Sequence, residues 1–395
     1  MNKKLFSQKQ KRLLSLSGFA HLVHDGFTDT LFILFPIWAN TFGLVYTEIG
    51  ALKMVASSVL SIFQIPAGML SEKFGERSIL AIGTILAALG FVLLYFVSGF
   101  LGLALCLALI GLGASTQHPL ASTLVSKGFS KNKRTALGIY NFAGDIGKAI
   151  FPLSVSTISV TFSWLTGTFT VGIIGIAAGV VIYIGLYHLG LGEPQKLQKK
   201  IISKKLSGWA ITDMMGFSCL SAISMIDTSV RLAFLTYLPF LLTEKGAELS
   251  TLGIALTLVF AGGAAGKLIC GIAAERFGII KTMAITEIAT ASGLIILIFV
   301  PLLPAMMFLP FLGLVLNGTS SVLYGCVGDF VDEKQQARAF GLFYTLAIGA
   351  GAISPFLYGL ISDGLGLNFC FITLATSLIF VIPLFLPLSK RLAEV

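Results

Sequence analysis

The chain has 395 residues, 56% of them hydrophobic and only 11% charged, where ordinary soluble domains carry about 25% charged residues. So little polar surface excludes a water-soluble globular protein and makes the lipid bilayer the natural solvent. The formal net charge of +9 does not imply a nucleic-acid partner, because the Lys and Arg sit in short loops between long apolar runs rather than on one face of a folded domain.

The chain opens with a basic stretch (Lys3, Lys4, Lys9, Lys11, Arg12) followed by an apolar one, the outline of a signal peptide. The apolar part is too long for one, carries His and Asp, and lacks a small-residue cleavage site, so an uncleaved first helix is expected. Runs of the ~20 apolar residues that a spanning helix needs fall at 13–40, 47–70, 78–97, 101–125, 135–158, 163–189, 209–242, 249–273, 280–300, 303–328, 338–361 and 366–388. The predicted fold class is an all-α membrane protein with twelve transmembrane helices. The cysteines (Cys106, Cys219, Cys270, Cys326, Cys370) fall inside these segments without metal-ligand spacing and read as free thiols.

Loop charge sets the expected orientation. Lys73 and Arg77 follow the second segment, Lys127, Lys131, Lys133 and Arg134 the fourth, and Lys196, Lys199, Lys200, Lys204 and Lys205 the sixth. Arg276 and Lys281, Lys334 and Arg338, and Lys390 and Arg391 continue the pattern, while the opposite loops hold only Lys245. The positive-inside rule then places both termini in the cytoplasm.

The chain also repeats itself. Pro36 and Pro239, Gly50 and Gly253, Gly68 and Gly271, Glu72 and Glu275, Gly75 and Gly278, Gly138 and Gly341, and Pro152 and Pro355 are all 203 residues apart. A constant offset without a gap marks a duplicated unit. The expected organisation is a six-helix bundle at 1–192, a basic cytoplasmic linker at 193–207 and a second six-helix bundle at 208–395, related by pseudo-symmetry as parallel repeats.

Ionisable residues within a spanning helix are costly, at roughly 2.5–3.5 kcal/mol each by insertion scales, and are functional candidates by default. In the first segment His21, His24, Asp25 and Asp29 lie on one side, since four residues return to within about 40° of the same helix face. Asp25 and Asp29 could exchange protons, tuned by His21, or the set could only tie the bundle together. In the fifth segment Asn141, Asp145, Lys148 and Pro152 share a stripe. In the seventh, Asp227 and Arg231 are four apart. Each set is either an internal ion pair or part of a substrate site; Arg231 and Lys148 suit an anionic substrate, Arg through bidentate hydrogen bonds. His118 either contacts the transported species or satisfies a local backbone group. Gln64, Asn317 and Tyr324, with Ser320 and Ser321, are weaker cavity candidates. Lys53 and Lys267 lie near segment ends, where they can snorkel. Glu287 stands alone in the ninth segment, with no role evident.

Gly68-Met69-Leu70-Ser71-Glu72-Lys73-Phe74-Gly75-Glu76-Arg77 between the second and third segments resembles the Gly-x-x-x-Asp-Arg-x-Gly-Arg loop signature of major facilitators, with Glu72 in place of the Asp and Glu76 in place of a basic residue. A second copy, Gly271-Ile272-Ala273-Ala274-Glu275-Arg276-Phe277-Gly278, falls at the repeat offset. A tight reversal asks for Gly, and an acid–base pair there can latch a gate. Within that superfamily the chain is similar to the fosmidomycin-resistance group of efflux proteins, through His21-x-x-x-Asp25, Gln117-His118-Pro119 with Ala121 and Leu124-Val125, and Gly144-x-x-Gly147 with Pro152. Asp145 and Lys148 depart from that group's pattern.

The resemblance implies the major facilitator fold, with the first, fourth, seventh and tenth helices lining a cavity. It also implies a monomeric proton-coupled exporter of a small polar or anionic molecule in the bacterial inner membrane, needing no cofactor besides protons. A divalent-metal or metal-chelate transporter is the nearest rival, since His21, Asp25 and Asp29 form a ligand-like ladder that His118 could complete, although no metal site is expected. A membrane-embedded enzyme using His21 and Asp25 lacks an accompanying nucleophile motif, so no enzymatic activity is expected. A sensor that binds without translocating is a further rival. No Gly-x-x-x-x-Gly-Lys-Ser/Thr loop is present for ATP drive.

Overall fold

In lipid, a long apolar stretch satisfies its own backbone groups by forming a helix, and helices dominate the computed structural model, which describes residues 6–129, 132–194, 211–331 and 336–393. In chain order these are α1 (Gln8–Phe42), α2 (Tyr46–Phe74), α3 (Glu76–Leu93), α4 (Phe100–Ala114), α5 (Gln117–Gly128), α6 (Lys133–Thr161) and α7 (Trp164–His188). After the linker come α8 (Met214–Glu244), α9 (Leu249–Phe277), α10 (Ile279–Phe299), α11 (Leu302–Cys326), α12 (Gln336–Leu365), α13 (Leu367–Ser377) and α14 (Ile382–Leu392). Linker residues 195–207, with their five lysines, lie outside the described residues, as do Lys3, Lys4, Lys131 and Lys334.

Two predicted segments are each divided into two helices. Between α4 and α5 the hydroxyls of Ser115 and Thr116 donate to the carbonyls of Leu112 and Gly113 at 2.7 and 3.0 Å, competing with the helical ladder. Pro119 follows, and it can offer no N–H to the carbonyl four residues back. Between α13 and α14 a 3₁₀ turn, Leu378–Val381, precedes Pro383. Phe100–Gly128 and Leu367–Leu392 nonetheless each run as one apolar span. Among the described residues, ten helices are long and apolar enough to cross a membrane. The two further long helices, α1 at 35 residues and α6 at 29, are interrupted by the charged residues described below.

The chain divides into two compact units: Met1–Ile37 with Val55–Ile201, and Trp38–Met54 with Ile202–Val395. In the first, α3 packs on α7 and α4, and Leu13, Leu14, Leu120, Phe129, Tyr140 and Leu186 share one core. In the second, α8 packs on α12 and α9 on α11, around Phe217, Ile223, Phe330, Phe343 and Phe385. The second unit takes in the start of α2 because Asp363 of α12 caps it, accepting from the amides of Tyr46 at 2.9 Å and Thr47 at 2.8 Å. Such a cap satisfies donors that a helix start leaves unpaired. The Tyr237 hydroxyl adds a bond to the Tyr46 carbonyl at 3.1 Å.

Helix association in lipid relies on close van der Waals packing, which favours small residues at the interface. On α9, a Cβ at Gly262 or Gly266 would lie 2.0 or 2.1 Å from the carbonyl oxygens of Pro310 and Leu314 on α11. By contrast, a Cβ at Gly349 on α12 meets nothing within 4 Å. Gly266→Ala is therefore expected to destabilise the purified protein by about 1–3 kcal/mol, the usual cost of overpacking. Gly349→Ala should be neutral or slightly stabilising, because a helical Gly gives up about 0.5–1 kcal/mol relative to Ala. Thermal unfolding in detergent separates the two; equal melting temperatures would remove the argument for tight α9–α11 contact.

Candidate functional site

The titratable groups of the first unit gather around the buried Asp25. His21, His24, Asp25 and Asp29 project from α1, His118 from the first turn of α5, and Tyr140 and Lys148 from α6. His21, His24 and Asp25 are 4%, 7% and 5% exposed, so water screens none of them well. The Asp25 carboxylate is divided between two kinds of neighbour. Its Oδ2 lies 3.4 Å from the Lys148 ammonium, which also reaches Asp29 Oδ2 at 3.8 Å. Its Oδ1 lies 3.3 Å from His21 Nε2 and 3.8 Å from His24 Nε2. The Asp25 carboxylate thus lies between an ammonium on one side and two imidazoles on the other.

The orientation of His21 gives that placement a chemical meaning. Nδ1 lies 2.9 Å from the backbone carbonyl oxygen of Tyr140. A carbonyl only accepts, so Nδ1 carries the hydrogen. In a neutral ring Nε2 would then present a lone pair to a carboxylate oxygen, and it has no hydrogen-bond partner. Two facing acceptors are relieved by a proton held between them, on Nε2 or on the carboxyl, or by a bound cation. Stacking on Tyr140 (ring centroids 4.2 Å apart, planes at 22°) and an edge contact with His118 at 5.4 Å hold the ring in place. His118 also meets His24 edge-on at 4.7 Å. A cavity of about 10 Å³, room for about one water, is lined by His24, Phe27, Thr116 and Gln117 among others.

The cluster forms because α6 comes close to α1. A Cβ at Gly144 would stand 2.5 Å from Asp25 Oδ2 and 2.8 Å from His21 Nε2, and one at Gly147 would stand 2.0 Å from the carbonyl oxygen of Leu22. The Gly144-x-x-Gly147 spacing thus opens a groove that admits α1 and brings Lys148 to Asp25.

The remaining candidates lie as follows. Asp145 is buried on α6, and Asn141 is exposed one turn earlier. Gln64 is half-buried on α2, outside the cluster. In the second unit Asp227 is 3% exposed and Arg231 half-buried on α8. Arg231 Nη2 is turned to Thr228 Oγ1 at 3.5 Å, and Asp227 Oδ2 has no hydrogen-bond partner. Asn317 donates back to the Gly313 carbonyl at 3.1 Å, within its own helix. Tyr324 stacks on Tyr344 with centroids 4.4 Å apart.

At the α2–α3 turn, Gly75 takes φ +87°, and at the repeat-equivalent α9–α10 turn Gly278 takes φ +96°, conformations open to Gly and strained for other residues. Glu72, Lys73, Glu275 and Arg276 are exposed, and Gly68 and Gly271 are half-buried. The buried charges of the first turn are the next two residues: Glu76 pairs with Lys127, while Arg77 lies 5.4 and 5.0 Å over the rings of Tyr183 and Tyr187 and 3.9 Å from Glu193.

Comparison with known proteins agrees with this architecture. Residues 18–226 and 217–394 each match the sequence model of the Major Facilitator Superfamily. The chain is 26% identical over 388 residues to the uncharacterized MFS-type transporter YfnC of Bacillus subtilis (strain 168), covering 97% of this chain and 94% of that protein. It is 21% identical over 356 residues to the fosmidomycin resistance protein of Escherichia coli (strain K12), covering 89% and 86%. Among solved structures, a bacterial homolog of the human lysosomal transporter Spinster superposes with a TM-score of 0.81 at 15% identity over 98% of each chain.

The division of charge around Asp25 makes a stability prediction. Lys148→Met leaves two carboxylates without their shared cation and is expected to cost about 3–5 kcal/mol, the usual result of removing one partner from a buried pair. Adding Asp25→Asn should restore much of that loss. Thermal unfolding of both variants checks it; additive losses would mean that Lys148 does not compensate Asp25.

Proposed function

The chain belongs to the major facilitator superfamily, and we propose that it is a proton-coupled secondary transporter that exports a small polar or anionic molecule by alternating access. It is a multi-pass membrane protein and not an enzyme. In this reading α1 and α6 also cross the bilayer, completing twelve spans in two six-helix bundles. Both termini face the cytoplasm, the membrane is the bacterial inner membrane, and the monomer is the working unit.

The observation that carries the proposal is the pair of facing acceptors, His21 Nε2 and Asp25 Oδ1, 3.3 Å apart inside a spanning helix. A proton there makes the imidazole a donor to the Asp25 carboxylate. Removing it restores the repulsion. Proton binding from one side and release to the other would bias the exchange between the two access states. His24 and His118 border the same site and extend the path a proton can follow. Lys148 and Arg231 offer positive charge to an anionic substrate, and Asp145, Asn141, Asp227, Gln64, Asn317 and Tyr324 supply polar neighbours along the pathway. Similarity to a fosmidomycin resistance protein supports export. Glu72, Lys73, Arg77, Glu275 and Arg276, with their glycines, would gate the cytoplasmic end.

A second reading rests on one further distance. Single ligand atoms of His21, Asp25 and His118 all lie within 4.8 Å of one another, and imidazole with carboxylate suits first-row transition metals. Lys148 already holds the other Asp25 oxygen, and a dication beside it would be repelled more strongly than a single proton, so the proton reading is favoured. Addition of Zn²⁺ or Co²⁺ is therefore expected to leave the melting temperature of the purified protein unchanged. A rise that Asp25→Asn abolishes would establish the metal site instead.

Reconstituted vesicles with an imposed pH gradient and a trapped pH dye test the transport reading, with fosmidomycin and simple sugar carboxylates as probes. Wild type should couple probe movement to proton movement. Asp25→Asn should lose that coupling by more than about tenfold, the equivalent of about 1.4 kcal/mol, and Arg231→Ala should lose probe movement. Probe flux indifferent to the gradient would reject proton coupling, and normal flux in Arg231→Ala would reject the anion contact.

A further inference from the structure

The start of α2 is held by residues that lie far along the chain. Asp363, near the end of α12, accepts from the amides of both Tyr46 and Thr47, a charge-assisted pair of bonds at the positive end of a helix. The buried Tyr237 of α8 places its hydroxyl between the carbonyls of Tyr46 and Pro355. The Tyr46 ring meets Tyr237 and Phe240 edge-on, with centroids 6.0 and 5.3 Å apart. The backbones come close as well. A Cβ at Gly50 would stand 2.2 Å from the Pro355 carbonyl oxygen, and one at Gly359 would stand 2.7 Å from that of Tyr46.

These bonds fix one end of a shared helix. Tyr46–Met54 belongs to the second unit and Val55–Phe74 to the first. α1 is divided in the same way between Ile37 and Trp38, directly after Pro36. The tip of the α1–α2 hairpin, Trp38–Met54, thus goes with the second unit while both of its arms belong to the first. Any movement of one unit against the other must bend α2 near Met54 or free its start from α12.

The internal repeat shows that the fold does not require this cap. At the offset of 203, Asp363 corresponds to Val160, an apolar residue that is 59% exposed. Tyr46 corresponds to Leu249, where α9 begins, and the N-cap residue there, Glu248, makes no side-chain cap bond. The equivalent hairpin tip, residues 241–257, stays within its own unit. A duplicated fold carries the cap in one copy only.

We propose that Asp363 is a positioning residue for transport. Its cap keeps the hairpin tip on α12 and this end of the carrier closed, and the cap is released when that end opens. The inference rests on alternating access, but on neither proton coupling nor the identity of the substrate. α2 runs from this end to the Gly75 turn, so the cap lies at the membrane face opposite that turn. Asp363 is exposed, so water can replace the two amides and release leaves no unpaired charge in lipid.

Spin labels at Phe162 and Leu365, exposed repeat equivalents at the ends of α6 and α12, read the separation of the units at that face. The five native cysteines are buried and are replaced first. Pulsed electron-resonance distances are measured on the full-length protein in lipid vesicles without substrate. Asp363→Ala should lower the ratio of short-distance to long-distance populations about tenfold, the scale of a lost helix cap. Asp363→Asn still offers a capping oxygen and should keep most of the wild-type ratio. Tyr237→Phe should shift the ratio in the same direction as Asp363→Ala, and it carries the test if that variant does not fold. An unchanged ratio in the variants that fold, even with lowered melting temperatures, overturns the proposal and leaves a purely structural cap. A shift toward the shorter distance overturns it as well. These distances involve no pH gradient and no probe, so the proposal and the proton-coupling reading fail or stand separately.

Discussion

The meeting of His21 Nε2 with Asp25 Oδ1 at 3.3 Å is the constraint from which the functional account follows. Because the Tyr140 carbonyl fixes the hydrogen on Nδ1, a proton must lie between Nε2 and the Asp25 carboxyl, or the ring stands lone pair against carboxylate. In water such a conflict would be screened at little cost. Among residues only a few per cent exposed it becomes a two-state element, one state with the proton and one without. A carrier needs an element of this kind, because an ion can bias a conformational equilibrium only by interacting differently with its two states.

Everything around that contact serves to hold it. Gly144 and Gly147 let α6 lie close against α1, and any larger residue would occupy the space taken by Asp25 Oδ2 or the Leu22 carbonyl. Lys148 draws the opposite carboxylate oxygen away and reaches Asp29. Tyr140 contributes both its backbone carbonyl and its ring. The same close-packing logic, with Gly262 and Gly266 against α11, shapes the second unit.

Much of this was legible in the sequence, and particular residues show where reading stopped. The His21, Asp25 and Asp29 ladder was visible because a four-residue spacing fixes a helix face. The Gly75 and Gly278 turns were visible because a repeat offset picked them out, and positive φ accounts for both. The partner of Asp25 was not visible: Lys148 lies far along the chain, and only the steric opening at Gly144 and Gly147 brings it into contact. The Tyr140 carbonyl could not be found from side-chain patterns, because any residue supplies a carbonyl. Glu287, isolated in the sequence, is buried on α10 with one carboxylate oxygen that has no hydrogen-bond partner. The loop charges also redistribute in three dimensions, with Glu76 and Arg77 buried while Glu72 and Lys73 face outward. Sequence spacing alone does not distinguish these adjacent acid–base pairs.

Nitrogen-15 NMR of histidine-labelled protein in lipid measures the central contact most directly, with His21 assigned by its loss in His21→Asn. The account requires a hydrogen on Nδ1 and a proton held between Nε2 and the Asp25 carboxyl, and a bare Nε2 when Asp25→Asn removes the negative charge opposite. A His21 ring that is neutral in the wild type, with a bare Nε2 facing an ionised Asp25, would contradict it.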